Sequence, residues 1–238
     1  LLGGSATYFS IACSYFSSVS TVGVVGSDFP QEGWGVFKKH NINTDNILIK
    51  CGKTFSWGGK YNQDFSSRKT VFTDLGVFDG YIPHINKSDA RSSVVFLGNI
   101  QPALQLAVIK QLKVYNMLVG DTMNLWINSS KQELLQVLKY LDLFLINDEE
   151  AQLLTGYKNL QDSANKILDY GPDCVIIKCG SRGCFISNTK QHINVPAYRV
   201  KNLMDPTGAG DSFAGAYLGY SVLHGFNDPL KSAVVGSA

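Results

Sequence analysis

From Ser93 onward the chain alternates short unbroken apolar runs with longer stretches in which apolar residues recur every three or four positions. The runs are Val94 to Leu97, Met117 to Val119, Leu143 to Ile146 and Cys174 to Ile177. The amphipathic stretches between them are Pro102 to Leu112, Lys131 to Leu141 and Leu160 to Leu168. A strand that is apolar on both sides must be buried on both faces, and such strands separated by helices pair in parallel through right-handed βαβ units. The pattern therefore predicts an α/β fold with a mostly parallel central sheet. Each run ends on polar residues: Gly98-Asn99, Gly120-Asp121, Asn147 and Lys178. In open α/β sheets the ligand site lies beyond the carboxyl ends of the strands, so these residues are expected to gather there.

The N-terminal part reads differently. Tyr8, Phe9, Ala12, Cys13 and Phe16 mark one face of a helix from about Ser5 to Ser18, preceded by Gly3-Gly4. Thr21 to Val25 read as a buried strand, and Pro30 to His40 as a second helix with Trp34 and Phe37 inward. Between Asn46 and Asp74 apolar and polar residues alternate, with Phe55, Trp57 and Tyr61 on one face and Thr54, Ser56 and Lys60 on the other. Alternation predicts strands half exposed to solvent, with the polar segment 62–68 connecting two of them and Lys69 to Thr73 as the second. An aromatic face on such a sheet needs a cover, which a bound substrate or another subunit would supply.

Composition narrows the function. At 238 residues and 45% apolar, the chain suffices for one core. A formal charge of +2 without long basic runs favours neither nucleic acid nor an anionic membrane as partner, which leaves small molecules. Five cysteines, odd in number and without a C-x-x-C pair, argue against a disulfide framework and a zinc site, and point to a reducing cytoplasm. Leu1 to Val25 have no basic start and are interrupted by serines, so they do not read as a signal peptide. No apolar run approaches the roughly 18 residues of a membrane span.

The densest chemistry lies in Asp205-Pro206-Thr207-Gly208-Ala209-Gly210-Asp211-Ser212-Phe213-Ala214-Gly215. From Ser212 the pattern is helical, with Phe213, Ala214, Tyr217, Leu218 and Val222 at spacings of three and four. The glycines thus sit where a helix begins, and its free N–H groups and positive dipole end converge on one point suited to an anion. Asp211 lies in the first turn beside it. Gly-x-Gly-Asp alone describes an ordinary strand-to-helix turn with a stabilising carboxylate. The full string, however, resembles the C-terminal signature of the ribokinase family, the PfkB-type carbohydrate and nucleoside kinases.

That resemblance implies a ribokinase-like three-layer α/β/α sandwich. Residues 1–45 and 75–238 would form the main domain, and 46–74 a small β-sheet lid that covers the sugar and mediates homodimer contacts. It implies transfer of the γ-phosphoryl group of ATP to a hydroxyl of a small sugar or nucleoside. Asp211 would take the proton, and the amides of Gly208, Ala209 and Gly210 would hold the developing charge, as phosphoryl transfer asks mainly for positioning and charge stabilisation. Gly3, Gly4 and Ser5 resemble the substrate-side Gly-Gly motif, with Ser5 standing where many relatives carry Asn. Trp57 of the lid, Asn99, Asp121 and Asn124 are expected to face the substrate, although the spacing of Asp121 and Asn124 departs from the commonest form.

The run Asn147-Asp148-Glu149-Glu150 resembles an Asn-x-x-Glu motif, which implies that Asn147 and Glu150 organise Mg²⁺ through water. The same cluster would also be ordinary at a helix N-terminus. Lys178, Gly180 and Gly183 resemble the nucleotide-side turn, with Thr207 on the same side. Asp205 and Thr207 match positions whose carbonyls hold a monovalent cation, implying K⁺.

Both ends look cut relative to the family, since only Leu1-Leu2 precede Gly3 and the aspartate of a preceding strand is absent. A dinucleotide-binding fingerprint and a P-loop are both missing from the sequence. The rival of a different class is a non-catalytic binder that kept the fold, and retention of Asp211 speaks against it, because a binder needs no base.

Overall fold

A computed structural model describes residues 2–62, 68–86, 89–201 and 203–238. In chain order the elements are α1 (Ser5–Ser14), β1 (Ser20–Gly26), α2 (Gln31–Lys39), β2 (Asn43–Lys50), β3 (Ser56–Tyr61), β4 (Arg68–Asp74) and β5 (Val94–Leu97). Then follow α3 (Pro102–Ile109), β6 (Met117–Gly120), α4 (Asn124–Ser129), α5 (Lys131–Leu138), β7 (Leu143–Asn147), α6 (Asp148–Thr155), α7 (Leu160–Leu168) and β8 (Cys174–Lys178). The chain continues through β9 (Cys184–Asn188), β10 (His192–Val195), α8 (Ala209–Leu223) and α9 (Pro229–Gly236).

The four apolar runs become β5, β6, β7 and β8, which pair in parallel, and β9 and β10 extend the sheet antiparallel in the order β10-β9-β8-β7-β6-β5. Alternate residues of a strand point to opposite faces, so each run serves two cores. Phe144 and Ile146 pack with Leu134 and Leu138 of α5, Leu154 of α6 and Ile167 of α7. Leu143 and Leu145 instead join Phe213, Ala214 and Leu218 of α8 and Ala233 of α9. Helices on both faces of a mostly parallel sheet give the expected three layers.

The alternating region divides. Its first part, Asn46 to Lys50, belongs to β2 and pairs in parallel with β1, whereas β3 and β4 form a separate antiparallel pair. The alternation correctly signalled half-exposure of β2, but exposure carries no information about the partner strand. Most of the connection expected over 62–68 lies outside the described residues. The first helix also ends earlier than its apolar face suggests, at Ser14, because the amides of Phe16 and Ser17 both turn back to the Cys13 carbonyl. All five cysteines are free thiols, and burial pushes Cys13 up to about 11 and Cys174 and Cys184 to about 12. No helix among the described residues is long and apolar enough to cross a membrane.

One contact positions the N-terminal segment. α1 lies on α8, and a Cβ on Gly215 would fall 2.2 Å from the Phe9 carbonyl oxygen, while one on Gly219 would fall 2.8 Å from that of Cys13. The Phe9 ring then stacks on Phe96 of β5 at 4.2 Å between centroids. Replacing Gly by Ala inside a helix ordinarily stabilises it by about 1 kcal/mol. Here the added methyl meets backbone, so Gly215→Ala should destabilise the fold by about 1–3 kcal/mol, the usual cost of overpacking. Urea unfolding checks the sign, and a raised midpoint would remove the close-approach account.

Candidate active site

The carboxyl ends of the parallel strands bring their polar residues together. Asn147 and Lys178 are register partners at the ends of β7 and β8. The Lys178 ammonium reaches across β7 and donates to Asp121 Oδ2 at 2.9 Å, at the end of β6. Asp121 Oδ1 accepts from the Thr122 amide at 2.7 Å. Burial alone would push the Lys178 ammonium down, but Asp121 beside it, and Glu150 and Asp211 further off, more than offset that and raise it. Lys178 is therefore held in its charged form at neutral pH. Gln105 of α3 holds the neighbouring strand ends in place, its Nε2 donating to the carbonyls of Gly98 at 2.9 Å and Asp121 at 3.0 Å. Asn99 at the end of β5 accepts from Trp126 Nε1 at 3.0 Å.

Above this ion pair stands the N-terminus of α8. Gly208 adopts a left-handed conformation, φ 77°, which L side chains rarely adopt, and a Cβ there would lie 2.3 Å from the Tyr8 ring. Two independent constraints thus require glycine at this position. The first-turn amides of a helix lack intrahelical acceptors. Here Ala209 donates to the Pro206 carbonyl at 3.1 Å and Ser212 to the Gly208 carbonyl at 2.8 Å. Of the three amides expected to line the anion hole, that of Ala209 is thereby engaged by its own turn, and Gly210 and Asp211 carry the first-turn amides that follow it. Lys178 Nζ lies 3.1 Å from where a Cβ on Gly210 would be, directly against this turn. Asp211 sits in the same turn, half-buried.

Two tyrosines complete the surroundings, and one was not legible. Tyr8 reads from its spacing as a helix-packing residue, yet its ring covers Gly208. Its hydroxyl is pushed up, first by burial and then by the charges of Asp205 and Asp211 and by Tyr61. Its position four residues after Gly4 is the signal that could have found it. Tyr61 of β3 meets Thr207 Oγ1 through its hydroxyl at 3.1 Å, tying the small sheet to the loop that precedes α8. The Thr207 amide donates to Asp205 Oδ1 at 2.8 Å, and bonds from the Thr207 side chain and amide hold the Asp205 carboxyl below its usual range.

The remaining expected residues distribute unevenly. Gly4 caps α1, the Ser5 side chain lies 3.7 Å from where a Cβ on Gly98 would be, and Gly3 approaches the Tyr8 hydroxyl similarly, so this segment reaches the site. The Trp57 ring, by contrast, folds over Gly59 of its own strand, with Nε1 donating to Thr70 Oγ1 at 3.2 Å. Asn124 is exposed at the start of α4. Gly180 opens a single helical turn, Gly180–Arg182, with empty space beside it. At Gly183 the close backbone approach comes from the chain itself, a Cβ there falling 1.9 Å from the Val195 carbonyl oxygen. Arg182 of this turn pairs with Asp148 at the start of α6.

Asn147 and Glu150 form a reciprocal helix cap: Asn147 Oδ1 accepts from the Glu150 amide at 2.7 Å, and Glu150 Oε2 from the Asn147 amide at 3.1 Å. No group of three or more His, Cys, Asp or Glu side chains that could hold a metal occurs among the described residues. Asn147→Ala should therefore cost about 0.5–2 kcal/mol of stability, the usual range for a lost N-cap. Glu150→Gln, which keeps an acceptor oxygen, should cost clearly less. Equal unfolding midpoints for wild type and Asn147→Ala would show that the cap contributes nothing.

The PfkB family carbohydrate kinase model matches residues 3–234. The chain is 27% identical over 230 residues to the cytidine kinase of Thermococcus kodakarensis, covering 92% of this chain and 80% of that protein. It is 26% identical over 230 residues to the ribokinase of Staphylococcus aureus, covering 93% and 72%. Among solved structures, Escherichia coli ribokinase II in complex with ATP and Mg²⁺ superposes with a TM-score of 0.80 at 19% identity, covering 97% of this chain and 79% of that one. A family match over nearly the whole chain agrees with the three-layer fold and the glycine-led helix, and the chain belongs to the PfkB family of carbohydrate kinases, phosphotransferases that act on a hydroxyl group.

Proposed function

We propose that this protein is an ATP- and magnesium-dependent kinase that phosphorylates a hydroxyl of a small sugar, with Asp211 as the base. The observation that carries the reading is a carboxylate in the first turn of α8, directly after a left-handed Gly208. The acceptor O–H gives its proton to Asp211 as its oxygen bonds to the γ-phosphorus. The bond from that phosphorus to the β,γ-bridging oxygen breaks, and ADP leaves. The amides at the start of α8 supply the anion site, and the end of the helix dipole favours negative charge there.

Magnesium fits the site only in an outer role. Glu150 is buried in the first turn of α6, with one oxygen committed to the cap, and Asn147 has spent its Oδ1 likewise. Such a pair suits an ion that keeps its waters and is bound chiefly by phosphate. Asn147 and Glu150 would hold those waters, and the ion would neutralise phosphate charge. The crystallised relative of the same fold in complex with ATP and Mg²⁺ supports magnesium as the metal. Potassium at the carbonyls of Asp205 and Thr207 rests on the signature alone.

A nucleoside acceptor is the second reading, favoured by the similarity to a cytidine kinase and by the aromatic surfaces of Tyr8 and Tyr61 beside the anion loop. A phosphorylation screen of the full-length protein with Mg-ATP against pentoses, hexoses and nucleosides separates the two. Phosphorylation of neither class would sink the proposal.

Asp211→Asn keeps the size of the side chain but cannot accept the proton. Turnover should fall by about 10² to 10⁴, the usual contribution of a general base, with acceptor affinity changing far less. Wild-type turnover in that variant would leave the carboxylate a helix cap. Glu150→Gln should raise the Mg²⁺ concentration needed for half-maximal turnover while leaving the fold intact. Superimposable magnesium titrations would remove Glu150 from the site.

A further inference from the structure

The Lys178–Asp121 pair is expensive as architecture. Both side chains are largely buried, 17% and 5% exposed, and removing two charges from water costs more than a well-packed apolar pair of the same volume would. Nothing in the layer packing asks for it, since Ile177, one residue before Lys178, and Val119, two before Asp121, are completely buried apolar residues. Its location does suggest a use. The ammonium abuts Gly210 in the first turn of α8, and it feels the charges of Asp121, Glu150 and Asp211 together. Lysine carries three N–H donors, of which Asp121 takes one.

We propose that Lys178 is the cation that meets the transferred phosphoryl group, held ready on Asp121 and turning donors onto the terminal phosphate oxygens once nucleotide is bound. This rests on the kinase reading and adds a residue to it. Three carboxylates already crowd the strand ends, so a phosphate placed at the α8 N-terminus without a protein cation would face a net negative wall. The α8 amides approach that phosphate from one side and the ammonium from the floor of the site. Asp121 then acts as a positioning residue: it orients the ammonium and keeps it charged, without touching the reacting atoms. Lys178 forms no covalent bond and loses no proton in the step.

The geometry predicts that Lys178 distinguishes a nucleotide that carries the γ-phosphate from one that lacks it. Dissociation constants for ATP and for ADP, each with Mg²⁺, are measured by calorimetry on the full-length protein. In Lys178→Met, ATP binding should weaken by about tenfold or more, the worth of a charged hydrogen bond, while ADP binding changes by less than about threefold. Lys178→Arg should restore most of the difference. Because Lys178→Met leaves Asp121 buried without its partner, the double variant Lys178→Met with Asp121→Leu is measured as well, and it should show the same selective loss of ATP. Equal weakening of both nucleotides, or of neither, would overturn the proposal, as would loss of folding in both variants, which would make the pair scaffold. Wild-type protein that binds no ATP would sink the kinase reading itself. Normal ATP binding in Lys178→Met would remove only Lys178.

Discussion

The site depends on how closely α1 can lie on α8. The two helices meet through Gly215 and Gly219, with the backbone of α1 where their side chains would be. Among the described residues β1 and β2 pair only with each other, so the N-terminal segment is fastened to the six-stranded sheet by helix packing and by the Phe9–Phe96 stack. Close packing is unforgiving, because interiors this dense have no room to absorb a methyl group. The same approach sets Tyr8 over Gly208 and brings Gly3 to Ser5 beside the end of β5. The segments around Gly4 and Gly208, about 200 residues apart in sequence, are thereby registered against each other by the glycines of the α1–α8 contact.

Electrostatics at the strand ends follow from the parallel sheet. Side-by-side strands deliver one polar residue each at the same level, and here Asp121, Asn147 and Lys178 arrive together with Glu150 and Asp211 from the helices that follow. Burial by itself would discourage the ammonium, and it survives because Asp121 is at hydrogen-bond distance. A charged cluster of this kind binds an anion only if cations outweigh carboxylates locally, so in the proposed kinase the helix amides, the ammonium and a phosphate-borne metal would be complementary parts of one arrangement. The Asn147–Glu150 cap meets a structural need while the charge of Glu150 still acts on Lys178.

The sequence alone determined the alternation of helices with four parallel strands and the helix that opens at the glycines, because burial on one or two faces writes its period directly into the chain, whereas the three-layer order came from the family resemblance. It also determined which polar residues end the strands. It could not determine which strand β2 pairs with, since half-exposure looks the same beside β1 as beside β3. Nor could it show that Tyr8 covers Gly208 at the start of α8, that Trp57 lies against its own sheet, or that Gly183 answers the Val195 backbone. Those outcomes turn on contacts between segments far apart in the chain, and periodicity reports only which face is covered, never by what. The Lys178–Asp121 pair belongs to the same class: two strand-end residues 57 positions apart, legible singly as polar, become one charged unit only when the sheet sets β6 and β8 on either side of β7.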